Sequence, residues 1–324
     1  MIHKINRNKL LKLLLVLSLQ TNILEFDDYF NYKRKTYFIN DSLLKIFIMT
    51  HKDFRNYRFN PVYRIVADDK SQLKNKYNLT IIFANKGELY NKKRAYGEMS
   101  KLYYIYQLYK NGTLSSKYIG LNHYKRYFNF TDYIPNLEYI FDNYEIILNN
   151  PHKKRRGMRR HFCRYHICKA YDQILDIIKD IKPEFYKTAL KASRAKRIYF
   201  RNLFIMKKND FFKYCEFLFD VLLEYDRRNN FNADDDILNY TKQFFENELI
   251  SLYESRLQGF LAERISNIFY YHYFKKIKSF GTVRYTNPLT DADKSYRFKT
   301  ILEYKNIIKA FQIILISMKI NLIL

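Results

Sequence analysis

The sequence predicts an α/β fold: a sheet flanked by helices, with a helical C-terminal part. Three observations predict it. Short apolar runs of strand length recur through the first half of the chain and again near residue 204, and several end in polar or charged side chains. Between them lies Tyr96 to Tyr109, where Met99, Leu102, Tyr103, Tyr106 and Tyr109 recur at helical spacings. Only 7 Gly and 5 Pro occur in 324 residues, which argues against a fibrous, disordered or hairpin-rich chain. Strands alternating with a helix point to an α/β layer rather than a β-sandwich.

In chain order, Lys45 to Lys52 reads as a buried strand that ends in Thr50 and His51. Val62 to Val66 is a second strand, followed by Asp68 and Asp69, and Leu79 to Phe83 a third. The helix that starts near Tyr96 stops at Asn111-Gly112. The run Tyr118 to Phe128 begins as a buried strand, then presents Asn122, His123, Lys125 and Arg126. Open α/β sheets bind ligands beyond the carboxyl ends of their strands, so this polarity fits an anionic ligand. A basic loop over packed aromatics is the alternative. Tyr144 to Leu148 is a further strand. The block Lys153 to Arg160 reads either as a phosphate or nucleic-acid patch or as a mobile, solvated loop. Tyr165 to Ile181 reads as one amphipathic helix ended before Pro183. Asn202 to Met206 is a short strand, and Asp210 to Tyr225 and Ile250 to Tyr273 are long helices.

The two ends stand apart from this pattern. Residues 1–44 form an N-terminal extension, with Asp27 to Asn40 a linker. Its apolar run Leu10 to Leu19 is too short for a bilayer span, and no small-x-small cleavage site follows. It is a surface-lying helix or a dispensable extension. Residues 281–324 form a tail in which Ile307, Ile308, Phe311, Ile314 and Leu315 recur at near-helical spacing among lysines. That suits an interfacial helix on an anionic membrane surface, or a helix docked on the protein's own core.

The charge of +26 concentrates anions: nucleic acid, acidic membrane or phosphorylated substrates. With 32 Tyr, 27 Phe and no Trp, aromatic packing carries much of the core. Three cysteines, Cys163, Cys168 and Cys215, make no disulfide framework, which points to a reducing compartment. The alternating His and Cys of residues 161–168 lack the spaced pairs of a zinc site. Asp68-Asp69, Asp234 to Asp236, and Asp291 with Asp293 read as structural before metal-binding, the second as a helix cap. Glu98, at a helix start, is a general base or a favourable partner of the helix dipole. Arg256 and Glu263, seven apart on the last long helix, share a face, as a buried pair that orients a site or as a surface pair.

Six segments in order resemble a bacterial glycosyltransferase-like family, domain of unknown function 4422, met in capsular and exopolysaccharide biosynthesis. They are Lys45 to Lys52, Tyr96-Gly97-Glu98, Tyr118 to Phe128, Tyr144 to Leu148, Asn202 to Met206 and Arg256 to Arg264. The resemblance covers roughly residues 45–280 and is most distinctive at Gly120-Leu121 and the following His123-Tyr124, Arg126-Tyr127-Phe128. It implies a GT-A-like sheet that binds a nucleotide sugar, and transfer of the sugar from a nucleoside-diphosphate donor to a glycan or lipid-linked acceptor. It implies donor-binding roles for Thr50, His51, Asn122, Lys125 and Arg126, and catalytic roles for Glu98 and His123. His166, Asn202, Arg256 and Glu263 are placed in binding or orientation. Many GT-A enzymes carry an Asp-x-Asp metal motif after a central strand, whereas Asn122-His123-Tyr124 stands there in this chain. Fixed cations can neutralise a diphosphate instead, so no metal ligand is assigned, with manganese or magnesium held as the alternative cofactor. The expected location is cytoplasmic, peripheral at the inner face of the cell membrane. The competing readings are a basic nucleic-acid-binding protein, although no nucleic-acid module is recognisable, and an inactive family member.

Overall fold

The computed structural model describes residues 42–54, 60–74, 77–130 and 136–284. Strand β1 (Leu44–Met49) is buried at every position. It lies between two parallel neighbours, β2 (Tyr63–Ala67) and β4 (Tyr118–His123). Both faces of the sheet are covered, so β1 reads as an apolar run rather than an alternating one. Its one polar residue, Lys45, extends its Nζ to Ser115 O at 2.8 Å. Phe47 and Met49 join the larger of two cores, while Leu44, Ile46 and Ile48 join the smaller one.

Outside β2 runs β3 (Ile81–Phe83), parallel to it. On the far side of β4 comes β9 (Phe204–Lys207), antiparallel to β4 and to β6 (Ile146–Asn149). Last is β10 (Ile277–Phe280), parallel to β6, giving the order β10-β6-β9-β4-β1-β2-β3. With β9 alone reversed, the other strands of this path bring their carboxyl ends to one edge. Beyond that edge β5 (Arg126–Phe128) folds back against β4 and pairs with β11 (Thr282–Arg284). A small ribbon joins β7 (His152–Lys153) to β8 (Arg197–Ile198).

The larger core packs α1 (Lys93–Tyr96), α2 (Glu98–Lys110), α7 (Lys208–Asn229) and α10 (Leu257–Tyr273) on one face of the sheet. Around them stand α4 (Met158–Tyr165), α5 (Cys168–Ile181), α6 (Pro183–Arg194), α8 (Asp234–Lys242) and α9 (Glu248–Glu254). The opposite face carries α3 (Leu137–Asn143), whose Phe141 stacks on Tyr118 at 4.5 Å. Two buried polar knots tie the layers together. Asp226 on α7 accepts from Lys92 Nζ, from Tyr96 Oη at 2.7 Å and from Gln258 Nε2 at 2.7 Å. Asp68, at the end of β2, pairs with Lys101 of α2 at 2.6 Å, both side chains buried.

Several elements differ from the sequence reading. The basic block is no loose loop: it holds β7, a turn and the first turn of α4. The helix expected over 165–181 ends where expected but starts at Cys168, because His166 adopts extended backbone (φ −132°, ψ 178°) and Tyr165 closes α4 instead. The bend brings Cys163 and Cys168 within 4.3 Å, Cα to Cα, and the two are disulfide-bonded, against the expectation of no bridge. Cys215 is free and buried. The helix expected over 250–273 is two helices. Ser251 and Ser255 turn their hydroxyls onto backbone carbonyls, which competes with continued helix, and Arg256 caps the second piece. No helix among the described residues is long and apolar enough to cross a membrane. The run Leu10 to Leu19, the linker 27–40, Asp291, Asp293 and the tail helix lie outside the described residues.

Candidate active site

Strands β1 and β4 end side by side, with Met49 in register with His123 and Ile48 with Asn122. Thr50 spends its hydroxyl on its own turn, donating to Lys52 O and accepting from Lys52 N. His51 is exposed and meets Tyr124 edge-on at 5.3 Å. The Tyr124 ring also lies under the ammonium groups of Lys52 and Lys125, at 5.8 and 5.4 Å. The negative face of the ring holds those cations at the sheet edge. Alternation sends Asn122 and His123 to opposite faces. Asn122 is 1% exposed, and neither atom of its amide has a partner. An unsatisfied buried group costs about 1–3 kcal/mol, a cost that a ligand at this edge can relieve.

His123 Nδ1 accepts from the backbone N–H of Lys125 at 3.2 Å. The ring proton therefore sits on Nε2. Burial, followed by Arg126, His51 and Lys125, holds the pKa of His123 well below the usual range. The imidazole is neutral, with one N–H left to donate.

Glu98 opens α2 directly after Gly97, whose φ of +59° lets the chain turn into the helix. Asn202 Nδ2 donates to Glu98 Oε1 at 2.9 Å. To reach it the chain takes two successive left-handed residues, Arg201 (φ 79°) and Asn202 (φ 47°). Outside glycine that backbone costs about 1–2 kcal/mol per residue, with Asn among the most tolerant types. The same turn aims the Arg201 N–H at Glu263 Oε1, 2.9 Å away. Glu263 Oε2 accepts from Arg264 Nη1 at 2.7 Å. Burial pushes the pKa of Glu98 up to about 7; the Asn202 hydrogen bond opposes the rise, Glu263 adds to it, and Arg256 and Arg126 oppose it. The residue as a whole is half-buried. Such a group exchanges a proton readily at neutral pH.

Cations gather opposite. Burial, followed by the Arg201 and Arg284 guanidiniums, lowers the pKa of Arg126. His152, at the start of β7, feels burial, Arg201 and Lys154, all lowering its pKa. Among the described residues Arg126, Arg201 and Arg256 have no carboxylate within ion-pair distance, and Arg126 Nε is buried without a partner. Guanidiniums crowded in this way are stabilised by an incoming anion.

The remaining candidates divide. His166 donates from Nδ1 to the buried Glu254 at 3.1 Å and stacks on Phe260 at 4.1 Å, so it braces α4 against α9 and α10. Arg256 and Glu263 form no ion pair with each other: Arg256 is exposed at the N-cap of α10, and Glu263 is taken by Arg264 and the Arg201 backbone, while both lie within electrostatic reach of Glu98. Asp69 accepts from Tyr90 Oη at 2.7 Å, and Asp234 accepts from the backbone N–H groups of Arg94 and Ala95. Among the described residues no three His, Cys, Asp or Glu side chains converge as a cation site. The donor set beyond β4, an amide and an imidazole followed by two cations, does not suit a divalent metal. Arg201, Arg284 and His152 carried no signal in the sequence, where Lys and Arg total 58.

Residues 45–276 match the family model described as domain of unknown function DUF4422. The chain belongs to this family. Its GT-A-type α/β sheet is shared with the apo structure of the bifunctional glycosyltransferase WbbM, at a TM-score of 0.57 and 20% identity. That match covers 76% of this chain and 46% of the other, so the chain spans less than half the length of that protein. The mannosyltransferase Ktr4p of S. cerevisiae matches over 57% of this chain and 62% of its own, with 11% identity and a TM-score of 0.29. No curated protein is significantly similar to the chain. Within the DUF4422 segment fall the ends of β1 and β4, Lys125 and Arg126, and the Glu98, Asn202 and Glu263 network.

Proposed function

We propose that this DUF4422 protein is a glycosyltransferase that moves a sugar from a nucleoside-diphosphate donor to a hydroxyl of a glycan or lipid-linked acceptor, in the assembly of capsular or exopolysaccharide. One observation carries the reading: unpaired guanidiniums, Arg126 and Arg201, stand at the same sheet edge as Glu98, a carboxyl whose pKa is near 7. Lys125, Arg126 and Arg201 take the diphosphate. His123 Nε2–H donates to a diphosphate or sugar oxygen. As the acceptor oxygen bonds to the anomeric carbon, the bond from that carbon to the diphosphate breaks. Glu98 takes the acceptor's proton, and the fixed cations receive the leaving group's charge. Asn202 and Glu263 orient Glu98 and the Arg201 turn. Support comes from the sheet, since His123 ends β4 and Lys125 and Arg126 follow it, at the edge where open sheets bind ligands.

Thermal unfolding measured with a panel of nucleoside diphosphates and nucleotide sugars tests it. A ligand at a hundred times its Kd adds about 2.7 kcal/mol of stability. At least one nucleoside diphosphate is expected to raise Tm, and its sugar to be hydrolysed or transferred. A panel that shifts nothing sinks the proposal. His123→Ala and Arg126→Ala are each expected to reduce turnover by about 10²–10³ with the fold intact. Full activity in both purified variants removes them from the site.

A further inference from the structure

Beyond the site, two strongly basic segments are locked together by their backbones. Lys154 N donates to Lys196 O at 2.7 Å, and β7 pairs with β8 so that Lys153 stands opposite Arg197. Gly157, with φ +77°, passes so close to the end of α6 that a Cβ there would lie 2.9 Å from Arg194 O. Only glycine permits that approach. The result is a fixed platform whose Lys153, Arg155, Arg156 and Arg160 are exposed on one segment and Arg194 and Arg197 on the other. None of these six has a carboxylate within ion-pair distance among the described residues. The one cation of the block that is paired, Arg159, is held by Asp172 to the side, at 2.7 Å.

Like charges placed together by rigid backbone repel one another, and a flexible loop would spread them apart. Their retention in a locked framework calls for a partner that is itself an extended array of negative charge. The platform is also edged with apolar groups. On α6 the exposed face runs Lys187, Leu190, Lys191, Arg194, with Leu190 40% exposed. Tyr271, 38% exposed, donates its hydroxyl to Arg197 O and so stands at the rim of the same surface. Cations with interspersed Leu and Tyr match the boundary between phosphate headgroups and acyl chains. A nucleic acid would meet its phosphates here but gain little from an exposed leucine.

We propose that this platform, the β7–α4 turn together with the end of α6, docks the protein on an anionic lipid membrane. The contacts are between its guanidinium and ammonium groups and lipid phosphates, with Leu190 and Tyr271 at the acyl boundary. β7 leaves the sheet from the edge that carries the site, and His152 lies within electrostatic reach of Arg126 and Arg201. Docking therefore brings that edge to the membrane surface. The inference does not depend on the transferase reading, because membrane binding is read without turnover.

The test is co-sedimentation of the full chain with vesicles of phosphatidylcholine alone and with added phosphatidylglycerol. Binding is expected only with the anionic lipid and is expected to weaken as salt rises. Each basic residue near an anionic surface strengthens binding about fivefold, from about 1 kcal/mol. Lys153→Gln/Arg155→Gln/Arg156→Gln is therefore expected to weaken it by roughly 10², with an unchanged Tm and an unchanged thermal response to nucleoside diphosphates. Leu190→Ser is expected to weaken it further at constant charge. Wild-type binding to neutral and anionic vesicles alike, or a triple variant that binds as wild type does, overturns the proposal. Equal affinity for duplex DNA, lost in the same variant, replaces the membrane with a nucleic acid. Release from vesicles by millimolar inorganic pyrophosphate replaces it with a discrete phosphate ligand.

Discussion

A carboxyl with a pKa near 7 is half ionised at neutral pH, and Glu98 owes that position to burial. As a base it acts in its ionised form, so turnover is expected to rise with pH through about 7. Glu98→Gln is expected to lower turnover by about 10²–10⁴ and to flatten the profile; an unchanged profile in that variant assigns the base elsewhere. Stability runs the other way. The unfolded group ionises near the ordinary value of 4.5 and the folded one near 7. Between them the native state holds a proton that the unfolded state has released, so the group's contribution is full below 4.5 and is lost as pH rises through 7. The gain in Tm from Glu98→Gln is therefore expected to be larger at pH 8 than at pH 4. Asn202 tunes the same group. Asn202→Gly keeps the left-handed backbone but removes the hydrogen bond that lowers the Glu98 pKa. Its pH–rate profile is expected to move to higher pH, whereas a profile that stays put makes Asn202 a packing residue only. Glu98 and Asn202 were legible because each sits in a recognisable segment. Arg201 was not, since only the left-handed turn gives one arginine among many a distinct place.

At the scale of elements, β4 shows how closely the sheet is built around its centre. Gly120 lies between β1 and β9, and a Cβ there would come within 2.9 Å of Ile46 Cγ1 and 3.1 Å of Ile205 Cγ1. Gly120→Ala is expected to lower stability by about 1–3 kcal/mol in denaturant unfolding, from overpacking on both sides. No loss would mean that the neighbouring strands yield. The Asp68–Lys101 pair is the second test: removing one partner leaves a buried charge alone, at a cost of about 3–5 kcal/mol. Lys101→Met is thus expected to be far more harmful than Lys101→Met combined with Asp68→Leu, as measured by Tm. The strands were legible because burial on both faces leaves continuous apolar runs, and β1, β2 and β4 fall where those runs stand. The helix breaks at His166 and Arg256 were not. The first falls at the very start of the expected helix, and the second goes with Ser251 and Ser255 turning their hydroxyls onto the carbonyls of Phe245 and Leu252.

For the whole molecule, the donor set at the sheet edge sets the response to chelation. Turnover is expected to be the same with EDTA as with added manganese, because Asn122, His123 and Tyr124 follow the strand in place of paired carboxylates and guanidiniums are proposed to take the diphosphate. Complete loss with EDTA, restored by manganese, would return attention to Asp68, Asp69 and His123. The wider topology was only partly readable, since no local pattern announces that β9 runs against its neighbours or that β11 closes on β5. That closure has a temporal side. A ribosome delivers His123 and Arg126 early, but Arg201, Glu263 and the β11 strand that flanks them come some 75 to 160 residues later. Until then the nascent chain carries the cations of the site without the residues that orient them. On the proposed assignment the site is completed only once Glu263 has been made, so a chain cut short before it is expected to show no turnover.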